Sequence, residues 1–227
     1  RENVQIVFLG GYSGVGKTEL VKQLCTDCTT ISKGERIICA RGKYSKLQSA
    51  AVPFSAISDS LGELVANLTD EECKTVRAKL SASEGMNSAA LVDTFPYLAP
   101  LLFPPRADST NVTDDSVTPA TMNEVKEAFK EFLSCVCGVL RSPLIWFLDD
   151  FQWSDEASLE LLKDVLISKE LNNLLFIGAY RSNEVKEEHP FHELMKGVEE
   201  VNNTNVHRVD LFGLSSDDVA GFIVDAL

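Results

Sequence analysis

The most informative segment of this chain is an eight-residue loop, Gly11-Tyr12-Ser13-Gly14-Val15-Gly16-Lys17-Thr18. It fits the pattern G-x-x-x-x-G-K-[ST], in which glycines let successive backbone N–H groups surround phosphates. The apolar run at 4–9 predicts a buried strand before the loop, and the apolar spacing over 17–28 predicts a helix after it. A helix that begins directly behind the loop adds its positive dipole end to the site. The sequence therefore predicts a loop that binds nucleotide phosphates.

Each residue type in the loop has a predicted role. Lys17 supplies a point charge to the β- and γ-phosphates, and the hydroxyl of Thr18 is a ligand for Mg²⁺. A chance match is the alternative, and its frequency of about 1% falls further with a strand and a helix on either side. The predicted nucleotide-binding residues are Gly11, Tyr12, Ser13, Gly14, Val15, Gly16, Lys17 and Thr18.

A second strand-sized apolar run ends in two adjacent acids. Residues 144–148 read Leu-Ile-Trp-Phe-Leu, and Asp149 and Asp150 follow directly. In a phosphoryl-transfer site Asp149 would hold Mg²⁺, usually through water, and Asp150 would orient or deprotonate the attacking water. The alternative, a solvated turn, loses weight because a phosphate-binding loop is predicted on the same sheet.

The order of predicted elements indicates the fold class. Strands that alternate with helices, and that are apolar on both faces, are typical of a three-layer α/β/α domain with a mainly parallel five-stranded sheet. A stretch rich in proline, serine, threonine and aspartate at 104–118 predicts an exposed loop. The predicted strands are 4–9, 37–40, 144–149, 174–179 and 206–211, and the predicted helices are 17–28, 53–68, 69–80, 86–103 (irregular after Pro96), 121–140, 155–168 and a last one from Ser215.

Composition excludes several classes of function. The 227 residues include 34 acidic and 21 basic side chains, a net charge of −13. This balance argues against tight binding to DNA or to an anionic membrane, since phosphate contacts need clustered Lys and Arg. No apolar run reaches the length of a membrane span.

The six cysteines do not suggest a disulfide scaffold. Cys25-Thr26-Asp27-Cys28 could be a redox pair or half of a zinc site, but it lacks the second ligand pair or strand context that either needs. We expect free thiols in a reducing cytosol. His189 and His192 likewise lack partners at metal-ligand spacing.

Further blocks give the sequence a specific resemblance: Gly42-Lys43-Tyr44, Pro53-Phe54-Ser55-Ala56-Ile57, Leu148-Asp149-Asp150-Phe151-Gln152-Trp153-Ser154-Asp155 and Ile177-Gly178-Ala179-Tyr180-Arg181-Ser182-Asn183-Glu184-Val185. Together with the loop at 11–18 they resemble AAA-type P-loop ATPase modules of the STAND class. These are the origin-recognition-like AAA ATPase domains found beside serine/threonine kinases, histidine kinases, adenylate cyclases and LuxR/MalT-like regulators. The resemblance spans nearly the whole chain, and the blocks keep their order.

The resemblance implies further site residues. Arg181 matches the sensor of the γ-phosphate, so the implied catalytic residues are Asp150, Lys17 and Arg181. Gln152 would contact the phosphate region, while Trp153 either joins it or packs in the interior. No arginine finger can be assigned. The acid pair is Asp-Asp where oligomeric AAA+ machines carry Asp-Glu, and the shorter Asp150 would slow hydrolysis.

The resemblance also implies domain organisation and function. Residues 1–212 would be the ATPase domain and 213–227 the start of a helical lid, in a fragment of a longer chain. The expected function is a cytoplasmic switch that binds ATP or ADP with Mg²⁺, hydrolyses ATP slowly and regulates output or sensor domains on the same chain, with nucleotide-dependent self-association left open. The alternatives are an origin-recognition-like ATPase that binds DNA, which the charge disfavours, and a nucleotide-binding scaffold without turnover.

Overall fold

Five parallel strands form the centre of the protein. The structure is a computed structural model that describes residues 4–31, 36–47, 52–83, 86–103, 120–202, 205–215, 218, 220–221 and 224. The strand order is β2-β3-β4-β1-β5, and every pairing in the sheet is parallel. The predicted α/β fold with a five-stranded sheet is thereby confirmed. The strands are β1 (Gln5–Gly11), β2 (Ile38–Lys43), β3 (Leu144–Asp149), β4 (Leu174–Ala179) and β5 (Val206–Leu211).

Eight α-helices and two short 3₁₀ turns connect the strands over the described residues. Both predicted capping boxes are present, with Thr69 and Glu72 opening one helix and Thr121 and Glu124 another. The 3₁₀ turns are Pro96–Leu98 and Phe151–Trp153. The helices are α1 (Lys17–Ile31), α2 (Ser55–Asn67), α3 (Asp70–Ser81), α4 (Ser88–Thr94), α5 (Ala99–Leu102), α6 (Met122–Val139), α7 (Glu156–Leu166) and α8 (Pro190–Asn202).

Helix α8 was not predicted from the sequence. It begins at Pro190, a residue suited to the first turn of a helix because its missing N–H would have no partner there. Its buried side chains recur at helical spacing, which is the pattern that could have identified it. They are Phe191, Leu194, Met195 and Val198.

The two faces of the sheet carry different helices. Alternate residues of a strand point to opposite faces, so Phe8 and Leu9 of β1 belong to different hydrophobic clusters. The larger cluster joins the sheet to buried residues of α2 through α8. The smaller one joins it to Val21 of α1. Helices therefore lie on both faces, with α1 covering the second one within the described part of the chain.

One disulfide lies among the described residues. Cys25 of α1 and Cys39 of β2 form a disulfide, so the prediction of free thiols is wrong for this pair. The two residues are brought together because α1 packs on the face of the sheet that Cys39 shares. The loop predicted at 104–118 and most of the helix predicted after Ser215 lie outside the described residues. None of the described helices is both long enough and apolar enough to cross a membrane.

Candidate nucleotide-binding site

A cavity of about 280 Å³ lies where the strands of the sheet end. Because the strands are parallel, their carboxyl ends meet at one edge, and a crevice at that edge is the usual ligand site of such sheets. Loops after β1, β3 and β4 and the last residue of β2 all contribute to it. The lining residues are Ser13, Gly14, Gly16, Lys17, Thr18, Glu19, Lys43, Asp149, Asp150 and Arg181.

The loop between β1 and α1 has the backbone of a phosphate cradle. Gly14 and Gly16 adopt φ of +83° and +98°, where side chains are rarely tolerated, and a Cβ at either residue would meet nothing within 4 Å. The backbone there is thus open to a ligand. Nζ of the buried Lys17 donates to the carbonyls of Gly11 and Tyr12, each at 2.8 Å. Burial lowers the pKa of Lys17, although Asp149 and Asp150 oppose the shift.

Thr18 and Asp149 join the loop to the acid pair. Oγ1 of Thr18 donates to Oδ2 of Asp149 at 2.7 Å, across 131 positions of sequence. Oδ1 of Asp149 accepts the N–H of Asp150 at 2.8 Å. A hydroxyl and a carboxylate this close form the hard oxygen donor set that Mg²⁺ prefers, so the residues present fit that ion.

Asp150 holds an unusual position at the end of β3. Its backbone is in the left-handed region (φ 56°, ψ 47°), which Asp and Asn tolerate better than other side chains. Oδ1 accepts from Nε2 of Gln152 at 2.8 Å and from Nε of Arg181 at 3.2 Å. Oδ2 has no aligned hydrogen bond among the described residues, and Nζ of Lys43 lies 2.7 Å from it as an ion pair. Burial would raise the pKa of Asp150, but Lys43 and Gln152 outweigh it and lower the pKa below its ordinary value.

Arg181 is held from several sides. Its backbone N–H donates to Oε1 of Gln152 at 3.0 Å, and Nη1 donates to Glu184 at 2.8 Å. The guanidinium also lies over the ring of Trp153. For Trp153 the sequence predicted either a contact with the phosphate region or packing in the interior. The 3₁₀ turn Phe151–Trp153 therefore fixes both Asp150 and Arg181.

The predicted site residues fall into two groups. Lys17, Thr18, Asp149, Asp150 and Arg181 line one cavity together with Ser13, Gly14 and Gly16. Gln152 is buried, and both ends of its amide are used by Asp150 and Arg181, so its contact with phosphate stays a prediction. The same holds for Gly11, Tyr12 and Val15, which are not among the lining residues; Tyr12 is 61% exposed.

Sequence reasoning gave no role to two residues at this edge. Lys43 lies beyond the strand predicted at 37–40, whereas β2 in fact extends to it and carries it to the acid pair. His189 lies before α8; its Nε2 is 3.2 Å from the carbonyl oxygen of Gln152, and its Nδ1 accepts from the N–H of Phe191. Over the described residues, no group of three or more His, Cys, Asp or Glu side chains could hold a metal.

Comparisons with known proteins identify the family of this chain. The chain is 31% identical over 166 residues to the hybrid signal transduction histidine kinase G of Dictyostelium discoideum; the match covers 70% of this chain and 4% of that protein. VirB4 of Thermoanaerobacter pseudethanolicus is a remote structural neighbour, with 15% identity and a TM-score of 0.34 over 97% of this chain and 80% of that one. The AAA ATPase domain family matches residues 1–177. Because that match covers well over half of the sequence, this chain belongs to the AAA ATPase domain family.

Proposed function

We propose that this domain is an ATP-dependent switch that hydrolyses ATP slowly and passes its nucleotide state to domains attached to the same chain. The hydrogen bond between Thr18 and Asp149 carries the proposal. It joins the phosphate loop to the acid pair at a single point, next to the buried Lys17. Any ligand with phosphates and Mg²⁺ would engage both segments at once.

The residues of the cavity have separate roles in phosphoryl transfer. Bound Mg²⁺ would supply charge neutralisation at the phosphates. Lys17 and the open backbone of the loop bind and orient the phosphates, while Thr18 and Asp149 hold the metal. Asp150 positions the attacking water and accepts its proton. Arg181, fixed by Gln152 and Glu184, reads the terminal phosphate.

The surroundings of Asp150 favour slow turnover. Its Oδ1 accepts hydrogen bonds from both Gln152 and Arg181. An oxygen that already accepts two hydrogen bonds takes a proton from water less readily. A slow step suits a switch, because the ATP-bound state must last long enough to be read.

Attached domains are the proposed target of the switch. The similar Dictyostelium protein is named a histidine kinase, and the chain spans 4% of its length. Residues 213–227 would begin a helical lid over residues 1–212. Ser215 and Asp218 form a capping pair, with Ser215 N–H donating to Asp218 at 2.9 Å. ATP as the ligand implies an intracellular location.

Calorimetric titration with ATP and with ADP, each with Mg²⁺, tests the site. Wild type should bind both, and Lys17→Ala should bind neither, because the phosphate charge loses its buried partner. Lys22→Ala is the matched control, since Lys22 lies on the same helix and pairs at the surface with Glu19. Undiminished binding by Lys17→Ala, or none by wild type, would refute the site.

Phosphate release separates a switch from a scaffold without turnover. Asp150→Asn keeps a residue that tolerates the left-handed backbone, so it should bind ATP yet hydrolyse it about 100-fold more slowly. Asp93→Asn, at an exposed position on α4, should match wild type. If wild type binds ATP and releases no phosphate, the scaffold is the correct interpretation.

A further inference from the structure

Lys43 ends β2 directly opposite Asp149 of β3. The backbone at this point is fixed, since Tyr44 N–H donates to the carbonyl of Asp149 at 3.0 Å. Gly42 approaches α2 so closely that an added Cβ would lie 1.8 Å from the carbonyl oxygen of Ala56. The side chain of Lys43, in contrast, is 60% exposed and lines the cavity. The backbone of Lys43 is held in place, while its long side chain is exposed. The ammonium can therefore change position without movement of the backbone.

The ammonium of Lys43 contacts the carboxylates of both Asp149 and Asp150. Nζ lies 2.7 Å from Oδ2 of Asp150 and 3.4 Å from Oδ2 of Asp149. The positive charge of Lys43 therefore lies against two buried carboxylates.

The same Asp149 oxygen is the acceptor for Thr18, and these two residues are the proposed metal ligands. A divalent cation there would repel an ammonium that shares Oδ2 of Asp149. Lys43 must then give up part of its contact with the acids. Lys17 offers no comparable movement, because it is buried and donates to the carbonyls of its own loop.

We propose that Lys43 is a second phosphate-binding cation, which leaves the acid pair and contacts the terminal phosphate of a bound nucleoside triphosphate. The inference rests on the proposed function and deepens it. It gives the site a positive charge from β2 of the same chain, at the position where phosphoryl transfer needs charge neutralisation. Departure of Lys43 also frees Oδ2 of Asp150, the oxygen with no aligned hydrogen bond, to accept from water.

The test is calorimetric titration of Lys43→Gln with ATP and with ADP in the presence of Mg²⁺. ATP should bind about tenfold more weakly than to wild type, the size expected for one hydrogen bond between charged groups. ADP binding should be nearly unchanged, since ADP lacks the terminal phosphate. Lys46→Gln removes the same charge from an exposed residue three positions along and should behave as wild type. Lys43→Arg should keep most of the ATP preference.

A second experiment distinguishes contact of Lys43 with phosphate from neutralisation of the charge on Asp150. In an Asp150→Asn background, Lys43→Gln should still weaken ATP binding about tenfold if Lys43 contacts phosphate. No further loss in that background would overturn the inference, and so would an equal loss for ATP and ADP. If the Lys43→Gln variant were only partly folded, its binding of ATP and of ADP would be reduced equally, so the ratio of the ATP affinity to the ADP affinity would not change. If wild type binds ATP and Lys17→Ala does not, an unaltered Lys43→Gln refutes this inference alone and leaves the proposed function standing.

Discussion

The guanidinium carbon of Arg181 lies 4.5 Å from the ring centroid of Trp153. The two residues are separated in sequence by α7 and β4, and they meet because the turn after β3 and the end of β4 lie at the same edge of the sheet. The ring holds the guanidinium from one side, and Asp150 and Glu184 hold it from others. Arg181 is therefore oriented before any ligand arrives.

Replacing Trp153 should weaken the response to the terminal phosphate. In Trp153→Leu the guanidinium of Arg181 is no longer held in place, so part of the binding free energy of ATP is used to order it. ATP affinity should therefore fall by about three- to tenfold, as for the loss of a cation–π contact. ADP affinity should stay within about twofold because its phosphates are held by the loop at 11–18. Trp153→Phe, which keeps an aromatic face, should lie between. Equal affinities for ATP in all three proteins, by calorimetry, would contradict this role.

Gln152 should act by position rather than by contact with nucleotide. Gln152→Leu removes the amide that lies between Asp150 and the backbone of Arg181. We expect the loss of position of these two residues to outweigh the greater basicity of Asp150, so hydrolysis should slow by about tenfold with ADP binding retained. Because Gln152 helps to lower the pKa of Asp150, its loss should move the acidic limb of the pH–rate profile to higher pH. A large loss of both ATP and ADP binding would instead support the direct phosphate contact predicted from the sequence.

Gly42 should be essential to the packing of β2 on α2. Gly42→Ala would force a Cβ against the carbonyl of Ala56, and we expect the free energy of unfolding to fall by about 2 kcal/mol or more. Gly138 in α6 has open space around it, so Gly138→Ala should stabilise the protein by up to about 1 kcal/mol. Urea denaturation of both variants measures the contrast. Similar effects from the two substitutions would contradict the close approach.

Glu72 should make the stability depend on pH. Burial raises its pKa, but hydrogen bonds from Thr69 and Arg36 outweigh it and lower the pKa below 4.5. Because the folded-state pKa is lowered, ionised Glu72 stabilises the folded protein above about pH 4.5. This stabilisation is lost as pH falls through the folded-state pKa. Glu72→Gln should therefore cost about 1 kcal/mol at pH 7 and less at pH 3. Glu71→Gln is the control, and an equal cost of Glu72→Gln at both pH values in urea titrations would refute the assignment.

Local sequence carried most of the information about elements. The apolar runs predicted all five strands, and the capping boxes at Thr69 and Thr121 marked two helix starts. Such patterns are local, since burial period and caps involve residues within one turn or one strand. The end of β2 was missed because Arg41, Gly42 and Lys43 have none of the apolar character of the run before them.

Contacts between distant side chains depend on the tertiary structure. Local patterns were enough to predict a phosphate loop, an acid pair after a buried strand and a parallel α/β sheet. The strand order β2-β3-β4-β1-β5 then brings Lys43 to Asp150, Arg181 to Trp153, and Cys25 to Cys39. None of these pairs has a local pattern, because each depends on strands and helices that are distant in sequence becoming neighbours. Lys43 therefore gains its proposed role only from the register that sets it opposite Asp149.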